Sequence, residues 1–152
     1  MPCGRCRSSI VKQGKSMRFA KISFAIAGWW GIAQITPLFF LLSEVGRRSP
    51  PLVTHPEFYY GFLVVTLAWQ IAFLGISRNP ARYRLLMVPA IIEKFGFALT
   101  YLLLYLNHTL SARDASWATI DFLLGVAFVI SYLRCTSAAA IIATDARALS
   151  GE

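Results

Sequence analysis

Four apolar stretches divide this chain, and each is close to the roughly 20 residues that an α-helix needs to cross the hydrocarbon core of a bilayer. The stretches cover residues 22–43, 58–76, 85–106 and 117–134. Hydrophobic residues make up 57% of the sequence and charged residues only 14%, so a soluble domain of this length would lack the polar surface that it needs in water. We therefore predict an all-α membrane protein folded as a four-transmembrane-helix antiparallel bundle.

Lysine and arginine residues gather at the ends of these stretches. Six lie in segment 1–21, three lie between the second and third stretches, and two lie at or after the end of the fourth, whereas the other two connections hold two and one. An excess of Lys and Arg marks the cytoplasmic side of a membrane protein, so we predict that both termini are cytoplasmic. Nucleic-acid binding is not predicted, because it would require these residues along one face. The predicted organisation is a basic cytoplasmic arm, 1–21, a transmembrane domain, 22–135, and a cytoplasmic tail, 136–152.

The three cysteines, Cys3, Cys6 and Cys135, give no disulfide framework, because their number is odd and all three fall on the predicted cytoplasmic, reducing side. Cys3 and Cys6 form a C-x-x-C pair, but two thiolates supply only half of a tetrahedral zinc site. We predict no metal site and no cofactor. Met17 stands just before the first apolar stretch, and a translation start there would remove the pair, so the sequence leaves both starts open.

Glu93 is the polar residue that most needs a partner inside the membrane. Counted along the helices, it lies roughly 12 Å inside the arginine-rich boundary and Gln70 lies roughly 9 Å inside it. The second and third helices are joined by a short loop, so we predict that they are neighbours and that the two side chains meet. An unpaired carboxylate at this depth is unfavourable, so Glu93 must be protonated, hydrogen-bonded or paired with a cation such as Arg134 or a loop arginine. Lys94 points elsewhere and is predicted to extend toward the lipid headgroups.

Two adjacent tryptophans, Trp29 and Trp30, lie well below the interface where tryptophans usually anchor a helix. We predict that they contact other helices or line a cavity, with ordinary helix packing as the alternative. The candidate intramembrane polar site therefore comprises Glu93, Gln70, Lys94, Arg134, Trp29 and Trp30.

A second polar group is predicted at the outer ends of the helices. Asp121 lies about one turn below the expected start of the fourth helix, for which Ser116 is the predicted N-cap. It joins His55, Glu57 and His108 in a candidate outer polar cluster. The alternative is that Glu57 and Asp121 only stabilise helix starts, where a carboxylate faces free backbone amides.

The order of features resembles small uncharacterised bacterial four-span inner-membrane proteins. The features are HPEFYYGF at the start of the second span, RNPARYR after it, and a Glu-Lys pair within the third. More loosely, the chain is similar to the DoxX-like group of four-helix membrane proteins. This resemblance implies a partner protein and an inner-membrane location, and no catalytic residue of that group corresponds to a position here. A bundle of the vitamin K epoxide reductase type would need C-x-x-C at the active membrane face, whereas Cys3 and Cys6 lie in the arm.

Three classes of function remain open. The first is a membrane protein without independent catalysis that works with a protein partner or as a homo-oligomer. It is favoured because the sequence has no nucleotide loop, metal quartet or nucleophile with a base at motif spacing. The second is a small proton-coupled transporter of lipophilic compounds that uses Glu93, with Trp29, Trp30 and Trp69 along a cavity. It is similar to the small multidrug-resistance design in size, although there the carboxylate lies in the first helix.

The third class is a membrane enzyme that acts on a lipid or quinone. Its proton donors or acceptors would be His55, Glu57, Glu93 or Asp121. An apolar pocket that converges on Glu93 would favour the second or third class. Tight packing around a closed ion pair would favour the first.

Overall fold

The computed structural model describes residues 4–48 and 54–150, with side chains described for residues 17–48 and 54–135. Every regular element in these residues is helical. The elements in chain order are α1 (Gly4–Leu38), α2 (Leu42–Arg48), α3 (Pro56–Arg78), a short 3-10 helix (Arg84–Leu86), α4 (Met87–Leu106) and α5 (Ala112–Ser150). The C-x-x-C side chains, Cys3 and Cys6, and those of the predicted tail lie outside the described side chains.

Three helical segments are long and apolar enough to cross a membrane: Pro56–Arg78, Arg84–Leu106 and Ala112–Cys135. A fourth is added if Met17–Leu38 and Leu42–Arg48 are taken together as one bent span. These helices suit a membrane protein in length and composition.

Helix α3 has clear sequence reasons for both of its ends. Pro56 occupies the first turn, where its missing N–H is no loss, and Glu57 adds a carboxylate among the free amides. The helix ends at Arg78, because Pro80 disfavours helical geometry in the residue before it. The side-chain oxygen of Asn79 then accepts a hydrogen bond from the backbone N–H of Arg82 (3.2 Å), which closes the turn toward α4.

The first predicted span differs from the structure at both ends. Residues 4–21, predicted as an arm separate from the span, are helical and continuous with it. The span was predicted to reach residue 43, but α1 ends at Leu38 and α2 turns away from it by 88°. Pro37 cannot donate a backbone hydrogen bond, and the chain tightens after it into turns such as Phe40 N–H to the Pro37 carbonyl (3.0 Å).

The predicted N-cap of the fourth helix is also corrected. Ser111, and not Ser116, precedes the first turn of α5: its hydroxyl accepts a hydrogen bond from the backbone N–H of Asp114 (3.2 Å) and donates one to the Asp114 carboxylate (2.7 Å). The Ser116 hydroxyl donates to the Arg113 carbonyl inside the helix. Helix α5 therefore begins at Ala112, five residues before the predicted span, and continues to Ser150.

The long helices do not pair as predicted from the loop lengths. Helix α1 packs against α3 and α5, and α4 packs against α5, whereas α3 and α4 touch only slightly despite their short connection. Small residues explain the close pairs. Gly28 and Gly31 lie directly against Leu74 and Gln70 of α3, and the ring of Phe95 in α4 lies on Gly125 of α5.

The apolar core lies toward one end of the molecule. The rings of Phe24 and Phe128 stack with centroids 3.9 Å apart, and the ring of Phe73 meets Phe128 edge-on at 5.1 Å. We call these three residues the phenylalanine core. Ala20, Ala27, Ile76, Met87, Ala90 and Cys135 complete the buried cluster around it. We call the adjacent end of the molecule, which holds Arg78, Arg82, Arg84 and Arg134, the arginine end.

Candidate functional site

A cavity of about 330 Å³ lies between the four long helices, on the side of the phenylalanine core away from the arginine end. Helix α3 contributes Phe62, Thr66 and Gln70, which are spaced four residues apart and so share one face. The other three helices present faces of the same kind. Their contributions include Gly31, Ile35 and Leu38 from α1, Glu93, Phe97 and Tyr101 from α4, and Trp117, Ile120 and Asp121 from α5.

Three ionisable side chains meet in this cavity. The Nζ of Lys94 lies 2.6 Å from Oδ1 of Asp121 and 3.3 Å from Oε2 of Glu93. The side chains are 9%, 19% and 22% exposed for Lys94, Asp121 and Glu93 respectively. Two carboxylates therefore share one ammonium group, and Asp121 holds the shorter contact.

The predicted position of Lys94 at the headgroups is wrong. Lys94 is buried, and its ammonium lies 5.4 Å from the centre of the Phe73 ring, against the phenylalanine core. Asp121 presents a carboxylate from α5 at the same depth, so the ammonium gains an ion pair within the protein. An ion pair with a cation over an aromatic face stabilises it there.

Asp121 is likewise not part of the predicted outer cluster. Because α5 begins at Ala112, Asp121 lies roughly 13 Å into the helix by its rise per residue. Its carboxylate faces Lys94 in the cavity. The outer cluster reduces to His55 and Glu57, which are exposed and joined at 2.9 Å from Nδ1 to Oε1. His108 lies in the turn before α5 with a positive φ of 57°, and no described ion pair joins it to them.

Gln70 is almost fully buried, with 2% of its surface exposed. Its side-chain amide donates a hydrogen bond through Nε2 to the Thr66 carbonyl (3.2 Å). Its Oε1 lies against Gly31, where an added Cβ atom would clash with that oxygen. Gln70 and Glu93 line the same cavity, and the glycine in α1 leaves the amide its space.

The tryptophans divide between two environments. Trp30 lines the cavity, but Trp29 is 65% exposed on the outside of α1, which contradicts the prediction that it contacts other helices or lines a cavity. Adjacent residues on a helix point about 100° apart, so one of the pair faces outward. Trp69 packs against the phenylalanine core, with its ring centre 6.1 Å from that of Phe73.

Arg134 does not pair with Glu93. Its guanidinium lies 4.9 Å from the ring centre of Phe19 at the arginine end, and Arg84 lies 5.3 Å from the ring of Tyr132. Lys94 takes the place of the expected cation. Glu93 lies beside this cation on α4, and Asp121 reaches it from α5.

Several cavity residues were not identified from the sequence. They are Gln34, Phe62, Thr66, Phe97, Tyr101, Trp117 and Ile120. A signal was present in the four-residue spacing of polar and aromatic residues, as in Phe62, Thr66 and Gln70, or Trp117 and Asp121. On an apolar helix, such spacing indicates a face turned toward protein or a cavity.

The described residues contain no group of three or more His, Cys, Asp or Glu side chains placed to hold a metal ion. What the cavity offers is an aromatic and aliphatic wall with a few convergent polar groups, the usual composition of a small-molecule site. No family model, curated protein or solved structure matches the sequence.

Proposed function

We propose that this chain is a multi-pass inner-membrane protein, with both termini cytoplasmic, that binds a small lipophilic molecule and transports it in exchange for protons at Glu93. The observation that carries the proposal is the cavity lined by all four long helices, with two carboxylates in it. Its volume falls in the range of about 300–1,000 Å³ typical of ligand sites. Ionisable residues at membrane depth commonly mark substrate and proton pathways.

A purely structural ion pair would be surrounded by packed apolar side chains. Here Glu93, Lys94 and Asp121 all border open space. The Nζ of Lys94 lies 2.6 Å from the carboxylate of Asp121 but 3.3 Å from that of Glu93. The charge of Asp121 is therefore the better compensated of the two, and Glu93 is the carboxylate available to take up and release a proton.

Binding is tested with adamantanol, a compact neutral alcohol, added to the protein in detergent micelles. Calorimetry should detect saturable binding to the wild type and to Thr100→Trp, since Thr100 is exposed on α4 outside the cavity. Thr66→Trp should abolish binding, because the indole fills space beside Gln70. Both variants are first checked to elute from a gel-filtration column and to unfold on heating as the wild type does. Equal binding by the two variants would remove the cavity as the site.

Transport is tested in proteoliposomes with a proton gradient and ethidium, a fluorescent lipophilic cation. Wild type and Glu57→Gln should accumulate the dye, because Glu57 is exposed at the start of α3, far along that helix from Gln70. Glu93→Gln should not. Undiminished uptake by Glu93→Gln would exclude this residue from coupling, and wild-type uptake no greater than that of empty liposomes would overturn transport.

A further inference from the structure

Two acceptor oxygens in the cavity stand out among the described side chains. Gln70 Oε1 and Glu93 Oε2 are the buried side-chain polar atoms there that make no hydrogen bond within the protein. Buried polar atoms are nearly always hydrogen-bonded, because an unsatisfied one costs about 1–3 kcal/mol. Both of these atoms belong to residues that line the same cavity.

The orientation of Gln70 is fixed by its other hydrogen bond. Its Nε2 donates to the Thr66 carbonyl, which can only accept, so the oxygen must be the atom that is left without a partner. The absence of a side chain at Gly31 gives this oxygen its position. The amide therefore presents an acceptor, and not a donor, to a bound molecule.

Lys94 satisfies Glu93 only in part. Its Nζ donates a long hydrogen bond of 3.4 Å to Oε1 but lies 3.3 Å from Oε2 without hydrogen-bond geometry, so Oε2 stays without a donor. Its short contact goes to Asp121. With all three groups ionised, the cavity carries one net negative charge, and the excess lies on the Glu93 side.

A molecule that complements this cavity needs hydrogen-bond donors, a positive charge and an apolar body, and a protonated amine supplies the first two in one group. The apolar part is met by aromatic walls, which also attract a cation. They are formed by Trp30, Phe62, Phe97, Tyr101 and Trp117.

We infer that the ligand is a lipophilic amine in its protonated form, whose N–H groups donate to Gln70 Oε1 and Glu93 Oε2. This inference rests on the proposed function of the cavity and narrows it to one chemical class. Gln70 is the residue that distinguishes an amine bearing N–H from a quaternary ammonium ion of similar size. With all three groups ionised, the net negative charge of the cavity disfavours an anion.

The test uses four probes with one apolar body: adamantylamine, its N,N-dimethyl and trimethylammonium derivatives, and adamantanol. Dissociation constants are measured calorimetrically in micelles. The amine and the dimethyl derivative, which keeps one N–H at nearly the bulk of the trimethylammonium, should bind about tenfold or more tightly than the trimethylammonium. Equal affinity of the dimethyl and trimethyl probes would overturn the inference.

The residue assignment is tested by Gln70→Met, with Ser77→Ala as the matched control on α3. The Ser77 hydroxyl donates to the Leu74 carbonyl and lies outside the cavity. Gln70→Met should weaken adamantylamine about tenfold and leave the trimethylammonium unaffected, whereas Ser77→Ala should change neither. An unchanged preference for the amine in Gln70→Met would contradict the role of its amide.

The inference and the proposed function fail in different ways. If the protein binds adamantanol but does not prefer the amines, the inference is overturned and the proposed function stands. If the protein binds none of the four probes, the proposed function is overturned.

Discussion

A single residue, Lys94, offsets the negative charge of the cavity. It is the buried cation among the described side chains, and two carboxylates from two helices depend on it. Its ammonium also lies over Phe73, so it joins the charged floor of the cavity to the apolar core. Loss of this one charge should therefore affect α3, α4 and α5 together.

Replacing Lys94 by methionine keeps the length of the side chain and removes its charge. Because breaking a buried ion pair leaves an uncompensated charge, the free energy of unfolding should fall by about 3 kcal/mol or more. Denaturant titration in mixed micelles measures it. Asp121→Asn in the same chain should restore part of the loss, since it removes one of the two carboxylates. Lys21→Met, at an exposed lysine, is the control; equal stability of the two lysine variants would contradict the assigned role.

Counting along the helices was enough to bring Gln70 and Glu93 to a similar depth, because the predicted end of α3 and the predicted start of α4 were close to their observed positions. The same counting failed for Asp121, since its depth depends on where α5 begins. Lys94 was included in the candidate intramembrane site, but the direction of its ammonium could not be predicted from the sequence. Its choice between headgroups and the interior is decided by a carboxylate on a helix whose facing side the sequence does not reveal.

Individual helices carry their own stability predictions. Ser111 caps α5 and Ser116 does not. Ser111→Ala should lower the free energy of unfolding by about 1 kcal/mol, the usual cost of a lost N-cap. Ser116→Ala should stay within about 0.5 kcal/mol of wild type. Thermal unfolding in micelles compares them, and a larger effect at Ser116 would restore the prediction made from the sequence.

The contact between α1 and α3 depends on a missing side chain. A Cβ atom at Gly28 would lie 2.7 Å from Leu74 Cδ2 and 3.0 Å from the Gln70 carbonyl oxygen. Gly28→Ala should therefore destabilise the protein by about 1–3 kcal/mol through overpacking. Gly75→Ala meets nothing within 4 Å and should gain up to about 1 kcal/mol from helix propensity. Similar unfolding curves for the two variants would show that this packing is not tight.

Apolar length predicts α3 and α4 well, because a helix in lipid must continue until its backbone reaches polar surroundings. A bend at Pro37 could be expected from the sequence, but the end of the helix just after it was not predicted. Proline at this depth either bends a helix or ends it, and the residues beyond it decide which. Here Glu44 forms ion pairs with Arg47 and Arg48 within α2, and such pairs favour the helical conformation of that segment.

The topology of the whole molecule is a prediction from charge. A membrane-impermeant maleimide should label Thr109→Cys in intact cells but label Asn79→Cys only after lysis. Asn79 lies in the loop beside the arginine cluster and Thr109 lies in the opposite loop. Both cysteine variants are made in a chain whose native cysteines, Cys3, Cys6 and Cys135, are replaced by alanine. Labelling of both positions from the same side would contradict the predicted orientation.

Which helices contact one another could not be predicted from the sequence. The short loop favoured contact between α3 and α4. Instead, α3 packs closely against the glycines of α1, and α4 packs closely against Gly125 of α5. Helices α3 and α4 therefore lie apart, and both line the cavity.

The phenylalanine core beneath Lys94 closes the cavity toward the arginine end. A guest seated there could leave toward that end only if the rings of Phe24, Phe73 and Phe128 moved apart. These rings come from α1, α3 and α5, so opening that barrier would repack contacts among three helices. In the proposed transport cycle, the rate of release would be set by this repacking, and tighter binding of the guest would not increase it.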